Sequence, residues 1–437
     1  MLVEHNDRIM RTLVNRHIEL AELDSLFEKK GLVVLYGRRR VGKTRLLSEW
    51  ISRNNGMYSQ AIQASRDIQL QQILADIAPI LKTSIQPTTW SQFFELLDLQ
   101  KEPLILCIDE FPYLVESDAS LPSIIQKWLD HRKNPNIFVI LSGSSQHMMH
   151  SLFLDRKAPL FGRAQKLIHV EPMAFEHFCD YFDLTQKTLD TFMRFSLVGG
   201  IPRYWEFMNM THSVIDEAAS LYFDFSAYLD SEPLRILSDE KIEGIMPVNI
   251  LETIGRGSVK PSEIAGRIGT AQTNLSRPLQ LLADMSIIQR ETCFGEPQRY
   301  QKKNTYKIID PTLRFWFQVY SAHRSRWATY SVAVQLKLIR DHASTVFEDV
   351  LRAEFPESRR YWERDIEFDW VVEEGKHLHI YEAKFSHLTA PEKTRISHHI
   401  QSQFTKSSLS KTHTTCTVHV LDATDYHLND IQPPDPA

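Results

Sequence analysis

Two hydrophobic spacings alternate over the first 170 residues of the chain. Apolar residues recur near helical spacing over 8–30, and residues 120–132 also have a helical pattern, which predicts amphipathic helices. Three short runs, over 32–36, 104–108 and 137–141, are apolar and rich in β-branched residues, as is typical of buried strands. Strands that alternate with helices indicate a parallel sheet covered by helices on both faces.

The pattern changes after about residue 171. Residues 172–240 are predicted to be helical and are interrupted by a Gly-Gly-Ile-Pro break at 199–202. Residues 245–310 contain three short helical patterns followed by a polar segment. From about 340 the pattern predicts a helix, a strand, a hairpin and a further strand. These changes divide the chain into four predicted domains, 1–170, 171–240, 241–320 and 321–437.

The loop after the first apolar run carries a phosphate-binding motif, G-x-x-x-x-G-K-[ST], between a predicted strand and a predicted helix at 43–53. Its glycines allow backbone N–H groups to face a phosphate, and the following helix directs its positive end at the anion. Lys43 is expected to reach the β- and γ-phosphates, and the Thr44 hydroxyl to ligate Mg²⁺. The alternative is a glycine-rich turn without a ligand. The residues predicted to bind the nucleotide are Gly37, Arg38, Arg39, Arg40, Val41, Gly42, Lys43 and Thr44.

A second apolar run ends in two acids, Asp109 and Glu110. In a nucleotide site, Asp109 would hold Mg²⁺, usually through water. Glu110 would orient or deprotonate the attacking water, a role that hydrolysis requires and binding alone does not. The alternative is a strand that happens to end in acids.

Two further residues are weaker candidates for the same site. Ser144 follows the third apolar run and is our choice for a polar group that senses the γ-phosphate, the alternative being a small residue in a tight turn. Arg163 is a candidate arginine finger, acting in cis or in trans, and the alternative is a surface salt bridge.

These segments and the break at 199–202 occur in one order along the chain. That order resembles the archaeal-type ATPases of the STAND/AAA-like P-loop superfamily, over about residues 10–320. The resemblance implies an α/β multidomain protein with a RecA-like three-layer core, a helical lid and a winged helix. Members of that superfamily are often nucleotide-driven switches.

The candidate winged helix lies at 262–307. Residues 262–268 and 270–285 predict a helix, a turn and a helix, and residues 289–307 predict the wing. One interpretation places the second helix in a DNA major groove. The other is that the module only packs against the ATPase and relays its state. The basic residues of the predicted wing are Arg290, Arg299, Lys302, Lys303 and Lys307.

The last domain contains a second group of charged residues on a predicted hairpin. If Glu373 pairs with Lys376 across the turn, Asp369 lies opposite Ile380 and Glu367 lies opposite Glu382. Asp369, Glu382 and Lys384 then share one face of the sheet, with Glu367 beside them.

Acids gathered on one sheet face repel one another unless a cation intervenes, and carboxylate oxygens suit Mg²⁺ or Mn²⁺. Asp369, Glu382 and Lys384, with Glu348 on a predicted helix over 343–355, resemble the PD-(D/E)xK nuclease core, although no proline precedes the aspartate. The resemblance implies a small α/β restriction-endonuclease-like domain in which a metal held by these acids supports phosphodiester cleavage. The alternative is a charged amphipathic hairpin.

Composition sets wider limits. The 437 residues carry a formal charge of −5, which argues against a purely electrostatic DNA coat. Four widely separated cysteines, with no C-x-x-C pair, make a disulfide framework or structural zinc unexpected and favour a reducing cytoplasm. No apolar run reaches the roughly 20 residues that cross a bilayer, so no membrane partner is expected. The histidines near the last hairpin form no tight ligand set with cysteine.

The first hypothesis is an ATPase, with ATP and Mg²⁺ as cofactors, that binds DNA and carries a metal-dependent deoxyribonuclease domain. The alternative is a nucleotide-dependent switch whose C-terminal domains only bind DNA or a protein. Association into a homo-oligomer is compatible with both hypotheses.

Overall fold

A computed structural model describes residues 16–81, 85–242, 244–296 and 304–429. The chain divides into two compact units, one comprising Met1–His177 with Ile201–Arg203 and the other Phe178–Gly200 with Tyr204–Ala437. In the described ranges, no helix is long and apolar enough to cross a membrane.

The first unit contains a five-stranded parallel sheet in the order β2-β3-β4-β1-β5. Its apolar runs are buried along their whole length, as in β3 and β4, because helices cover both faces. The strands are β1 Gly31–Tyr36, β2 Met57–Gln60, β3 Leu104–Asp109, β4 Ile137–Gly143 and β5 Lys166–His169. The helices are α1 His17–Lys29, α2 Lys43–Arg53, α3 Arg66–Leu81, α4 Trp90–Asp98, α5 Phe111–Ser117, α6 Leu121–His131, α7 Gln146–Phe153 and α8 Phe175–Tyr181.

The apolar pattern located the three central strands and helix α2 correctly, but it did not identify the edge strands β2 and β5. Both edge strands have four residues and are only partly buried, so their apolar signal is short. The first predicted helix is confirmed over His17–Lys29, while its residues 8–15 lie outside the described part of the chain.

The second unit begins with helices. These are α9 Leu189–Val198, α10 Pro202–Trp205 (its first two residues belong to the first unit), α11 Val214–Ala218, α12 Glu232–Asp239, α13 Ile245–Gly255, α14 Pro261–Ile268, α15 Ser276–Asp284, α16 Pro311–Phe315, α17 Ser321–His323, α18 Val332–Ala353 and α19 Ala390–Lys406. Helix α9 ends before the Gly-Gly-Ile-Pro break, as the sequence predicts. Helix α18 begins 11 residues before the predicted helix at 343–355.

A short antiparallel pair, β6 Ile288–Thr292 and β7 Asn304–Ile308, lies where the wing was predicted. Three of the predicted basic residues, Arg299, Lys302 and Lys303, lie outside the described residues. The core of this region joins α13, α14 and α15 to the strand pair through residues such as Ile250, Leu279 and Ile308.

The C-terminal sheet is separate and has the order β11-β10-β9-β8, with β10 parallel to β11 and the other pairs antiparallel. Its strands are β8 Arg359–Glu363, β9 Ile366–Glu374, β10 His377–Lys384 and β11 Thr415–Asp422. One face packs against α19 through Phe404 and Ile400.

The predicted hairpin register was wrong by two residues. Ile380 pairs with Val371 rather than with Asp369, and Glu374 pairs with His377. The connection is therefore a two-residue turn, in which Gly375 has φ +63°, a conformation that glycine adopts without strain. Because the shift is an even number of residues, it does not by itself move a side chain to the other face.

Candidate functional site

The phosphate-binding loop between β1 and α2 depends on its two glycines. A Cβ atom on Gly37 would lie 2.4 Å from the carbonyl oxygen of Val170, so only glycine fits this close approach. Gly42 has φ +101° directly before α2, a conformation that L side chains rarely adopt. Within the loop, Arg40 also has a positive φ, and the Val41 side chain is fully buried.

Lys43 is held inside this loop, with 4% of its surface exposed. Its Nζ donates to the carbonyl oxygens of Gly37 at 2.8 Å and Arg38 at 3.0 Å, and to Ser144 Oγ at 3.1 Å. The ammonium group therefore lies at the concave side of the loop, where the motif places phosphates.

The second predicted segment joins the first through a hydrogen bond. Thr44 Oγ1 donates to Asp109 Oδ2 at 2.7 Å, and Asp109 is fully buried at the end of β3. Tyr58 on β2, which sequence reasoning missed, also donates to Asp109 Oδ2 at 3.0 Å. Burial and the charge of Asp109 raise the pKa of the Tyr58 hydroxyl, so it remains a donor. The hydroxyl and the carboxylate proposed to share Mg²⁺ are thus adjacent.

Glu110 and Ser144 are also brought together. Glu110 follows β3 with φ +54°, and its carboxylate accepts hydrogen bonds from the Ser144 hydroxyl and, at 3.3 Å, from the Ser144 backbone N–H. Since the same hydroxyl accepts from Lys43, one serine connects the lysine to the acid. The structure therefore places the weaker candidate, Ser144, at the centre of the site.

Two arginine contacts around the loop were not predicted. Arg16, with 6% of its surface exposed, donates through Nη2 to the carbonyl oxygens of Val41 and Glu171, both at 2.9 Å. Arg39 donates to the Tyr113 hydroxyl. Arg16 precedes α1 and carries no motif, so no sequence signal identified it.

Arg163 lies away from this group. It forms a two-point ion pair with Asp130, at 2.9 and 3.1 Å, and it precedes β5 while Asp130 precedes β4. Since the sheet is parallel, both residues lie at the edge opposite Lys43, which follows β1. Arg163 therefore forms the salt bridge that was the alternative. Because it lies at the opposite edge of the sheet from Lys43, the prediction of an arginine finger acting in cis is wrong. A role in trans stays a prediction.

The C-terminal candidates lie at neighbouring positions of β9 and β10. Lys384 Nζ donates to Glu382 Oε1 at 2.5 Å, and Asp369 Oδ2 accepts from the Ala383 N–H at 2.8 Å. Glu367 was predicted beside these residues. Instead, it is 59% exposed and pairs with Arg360 at 2.5 Å.

Three acids in this region affect one another electrostatically. Burial, followed by the charge of Glu382, raises the pKa of Asp369. Burial, followed by the charge of Asp369, raises the pKa of Glu348 on α18. Arg360 offsets part of this repulsion, since its Nε lies 3.8 Å from Glu348. Carboxylate oxygens are the ligands that divalent cations such as Mg²⁺ prefer.

The fit is incomplete as the side chains stand. Among the described residues, no group of three or more His, Cys, Asp or Glu side chains is arranged to hold a metal ion. The Glu382 carboxylate accepts a hydrogen bond from Lys384. To bind a cation together with Asp369, it would have to change its orientation. Nearby histidines bond elsewhere, as in the 3.0 Å contact of His379 with His419.

Comparisons with known proteins match the region that contains the phosphate-binding loop. Residues 13–206 match the model of an ATPase domain found predominantly in Archaea, so the chain contains an ATPase domain of archaeal type. The uncharacterized protein MJECL04 of Methanocaldococcus jannaschii is 26% identical over 318 residues, which are 70% of this chain and 68% of that protein.

Solved structures resemble a longer part of the chain. The Walker-type ATPase paby2304 of Pyrococcus abyssi has a TM-score of 0.52 at 21% identity, over 70% of this chain and 96% of that one, which shows a shared fold. The ORC2 protein of Aeropyrum pernix, solved in ADPNP–ADP complexes, has a TM-score of 0.45 at 12% identity, over 77% of this chain and 96% of that one.

Proposed function

We propose that this protein hydrolyses ATP at the loop between β1 and α2, with Mg²⁺ held by Thr44 and Asp109. The observation that carries the proposal is the 2.7 Å hydrogen bond between these two side chains, which come from distant parts of the sequence. When bound, Mg²⁺ would neutralise phosphate charge. The archaeal ATPase domain that spans both residues supports ATP as the nucleotide.

The remaining residues divide the work of hydrolysis. Lys43 exchanges its carbonyl partners for phosphate oxygens, and the loop's N–H groups hold the rest of the phosphate chain. Glu110 orients the attacking water and accepts its proton. Ser144 contacts both Lys43 and Glu110, so it is positioned to respond to the γ-phosphate.

Paired variants test this assignment. We expect Lys43→Ala to lower nucleotide turnover by about 100-fold or more, because it removes a phosphate contact. Glu110→Gln should slow turnover by about 100-fold while ATP still binds. Phosphate release and binding of a fluorescent ATP analogue measure the two effects.

Arg53→Gln is the matched control, since Arg53 is exposed at the end of α2 and pairs only locally with Glu49. It should behave as wild type. Turnover that survives Lys43→Ala would refute the proposed site.

A second activity is favoured by the C-terminal sheet. Asp369, Glu382 and Lys384 lie on adjacent strands, and α18 contributes Glu348. Burial and the charge of Glu382 raise the pKa of Asp369, and burial and the charge of Asp369 raise the pKa of Glu348, which supports a shared cation site. We infer that this site cleaves DNA with Mg²⁺ or Mn²⁺, which would polarise the phosphodiester, while Lys384 stabilises developing charge.

Incubation with plasmid and linear DNA, with each metal and with or without ATP, tests the nuclease. We expect Asp369→Asn and Lys384→Met to reduce nicking by about 100-fold or more, because each removes a charged group at the reacting phosphate. Lys406→Met, at an exposed position of α19, is the control and should cut normally.

Asp369→Asn should not lower the melting temperature without metal, because it relieves repulsion between buried acids. An Asp369→Asn protein that cuts like wild type would remove the assignment of cleavage to this site, and a wild-type protein that binds DNA without cutting it would favour the binding-only switch. Three further points remain predictions under both the nuclease and the switch hypothesis. They are contact of α15 with DNA, a protein partner and a homo-oligomer.

A further inference from the structure

A small cleft of about 220 Å³ separates the β6–β7 pair from strand β8 and the end of α18. Three arginines face it, together with polar side chains. The lining residues are Gln289, Arg290, Glu291, Thr292, Arg352 and Arg359. This combination differs from an apolar ligand pocket, because nearly every side chain offers a hydrogen-bond donor or a charge.

The charge of the cleft is positive despite its one acid. Glu291 is 4% exposed, and Arg352 donates to it at 2.5 Å. Lys307 and Arg360 also approach Glu291, at 3.2 and 3.5 Å. Lys307 and Arg360 also pair with Asp349 and Glu367, each at a shorter distance, so the excess positive charge of the cleft comes from its own lining, which has three arginines and one carboxylate. Burial and these cations act on Glu291 in opposite directions, and its pKa is lowered, so it stays ionised.

We propose that this cleft binds the phosphodiester backbone of DNA. Guanidinium groups present paired donors that match phosphate oxygens, and arginine is favoured wherever phosphate is recognised in this way. Gln289 and Thr292 add neutral donors on the same side. The lining side chains are polar or charged and include no aromatic ring on which bases would stack, so the site contacts the backbone and does not select sequence.

The position of the cleft connects it to the acids of the C-terminal sheet. Arg359 and Arg360 are consecutive on β8, at the point where the pairing of β8 with β9 shifts register. Arg359 faces the cleft, while Arg360 pairs with Glu367 and approaches Glu348. A backbone held here would therefore lie on the strand next to the proposed cleavage site. The proposal rests on the DNA-directed function proposed above and names the surface that binds the DNA.

Equilibrium binding of a fluorescein-labelled DNA duplex tests the proposal on the full chain, in EDTA and without nucleotide. We expect Arg290→Gln and Arg359→Gln each to weaken binding about 3- to 10-fold. Each should also make the dependence of log affinity on log salt shallower by about 1, because one phosphate contact is lost. Arg359→Lys, which keeps the charge, should restore much of the affinity.

Arg256→Gln is the control, because Arg256 is 54% exposed and pairs with Glu252 on its own helix. Its affinity and salt slope should equal those of wild type. The melting temperature and the ATPase rate of all variants should be unchanged. Arg290 is exposed, so its replacement remains informative even if the half-buried Arg359 proves necessary for folding.

Unchanged duplex affinity and salt slope in both cleft variants would overturn the proposal. The proposal would also be overturned if the cleft bound inorganic phosphate or an acidic peptide and the variants lost that binding but kept their affinity for the duplex. The two proposals separate cleanly. Failure of cleavage would appear as a wild-type protein that binds but never cuts, whereas failure of this inference would leave duplex binding insensitive to Arg290 and Arg359.

Discussion

Arg16 shows how a single side chain outside any motif supports the nucleotide loop. Its buried guanidinium bonds the Val41 carbonyl within the loop and the Glu171 carbonyl beyond β5, two segments far apart in the sequence. It also pairs with Glu19 at 2.7 Å. Arg16 therefore stabilises the loop by bonding its backbone at Val41.

Replacing Arg16 with methionine should weaken the loop. The change keeps much of the side-chain volume but leaves the buried Val41 carbonyl and the Glu171 carbonyl without this donor, which costs about 1–3 kcal/mol of the free energy of unfolding. ATP affinity should fall as well, since the loop loses a fixed point. Urea denaturation and an ATP titration measure the two effects.

Arg66→Gln serves as the comparison, because Arg66 is exposed and pairs with its neighbour Asp67. Wild-type stability and affinity in the Arg16→Met protein would show that the contact is dispensable.

Among single residues, the sequence located those whose role follows from a motif, such as Lys43, Thr44 and Asp109. In the structure, Lys43 lies inside the loop and Thr44 bonds to Asp109. Arg16 and Tyr58 were missed because a lone arginine or tyrosine has no spacing that distinguishes a structural contact from a surface position.

At the scale of elements, α18 is fixed to α9 by a buried histidine. His342 is fully buried, and its Nε2 donates to the Ser196 carbonyl at 2.9 Å, near the end of α9. Burial lowers the pKa of His342 to about 3, from an ordinary value of 6.5. The folded protein thus holds this imidazole neutral where the unfolded chain would protonate it.

The stability of the second unit should therefore depend on pH. Because the folded pKa lies below the unfolded one, the contribution is complete above pH 6.5 and is lost as the pH falls toward 3. Between about pH 7 and 5.5, wild type should lose about 1 kcal/mol more unfolding free energy than His342→Gln. Urea denaturation at both values tests this, and parallel losses in the two proteins would contradict it.

Elements were predictable where the hydrophobic signal was long and failed where it was short. The continuous apolar runs of β1, β3 and β4 located the centre of the sheet, and the four-residue strands β2 and β5 did not stand out. The hairpin register failed by two residues because the two-residue turn was predicted at 374–375, whereas it lies one residue later, at 375–376, where Gly375 adopts a positive φ.

At the scale of the molecule, the order of motifs along the chain was enough to predict an ATPase core, because parallel strands bring their ends to one edge. The charged network of the second unit was not predictable in this way. Glu291, Arg352 and Arg360 are distant in sequence, and no short-range pattern signals that they meet.

The segment after β6 also protects the C-terminal sheet. The Phe294 N–H donates to the Arg360 carbonyl at 2.8 Å, and the Trp362 N–H donates to Cys293 Sγ at 3.4 Å. These bonds use the Arg360 carbonyl and the Trp362 N–H of β8, which is the edge strand of its sheet. An edge strand covered in this way is a poor template for strand addition by another polypeptide, so this side of the sheet resists intermolecular aggregation.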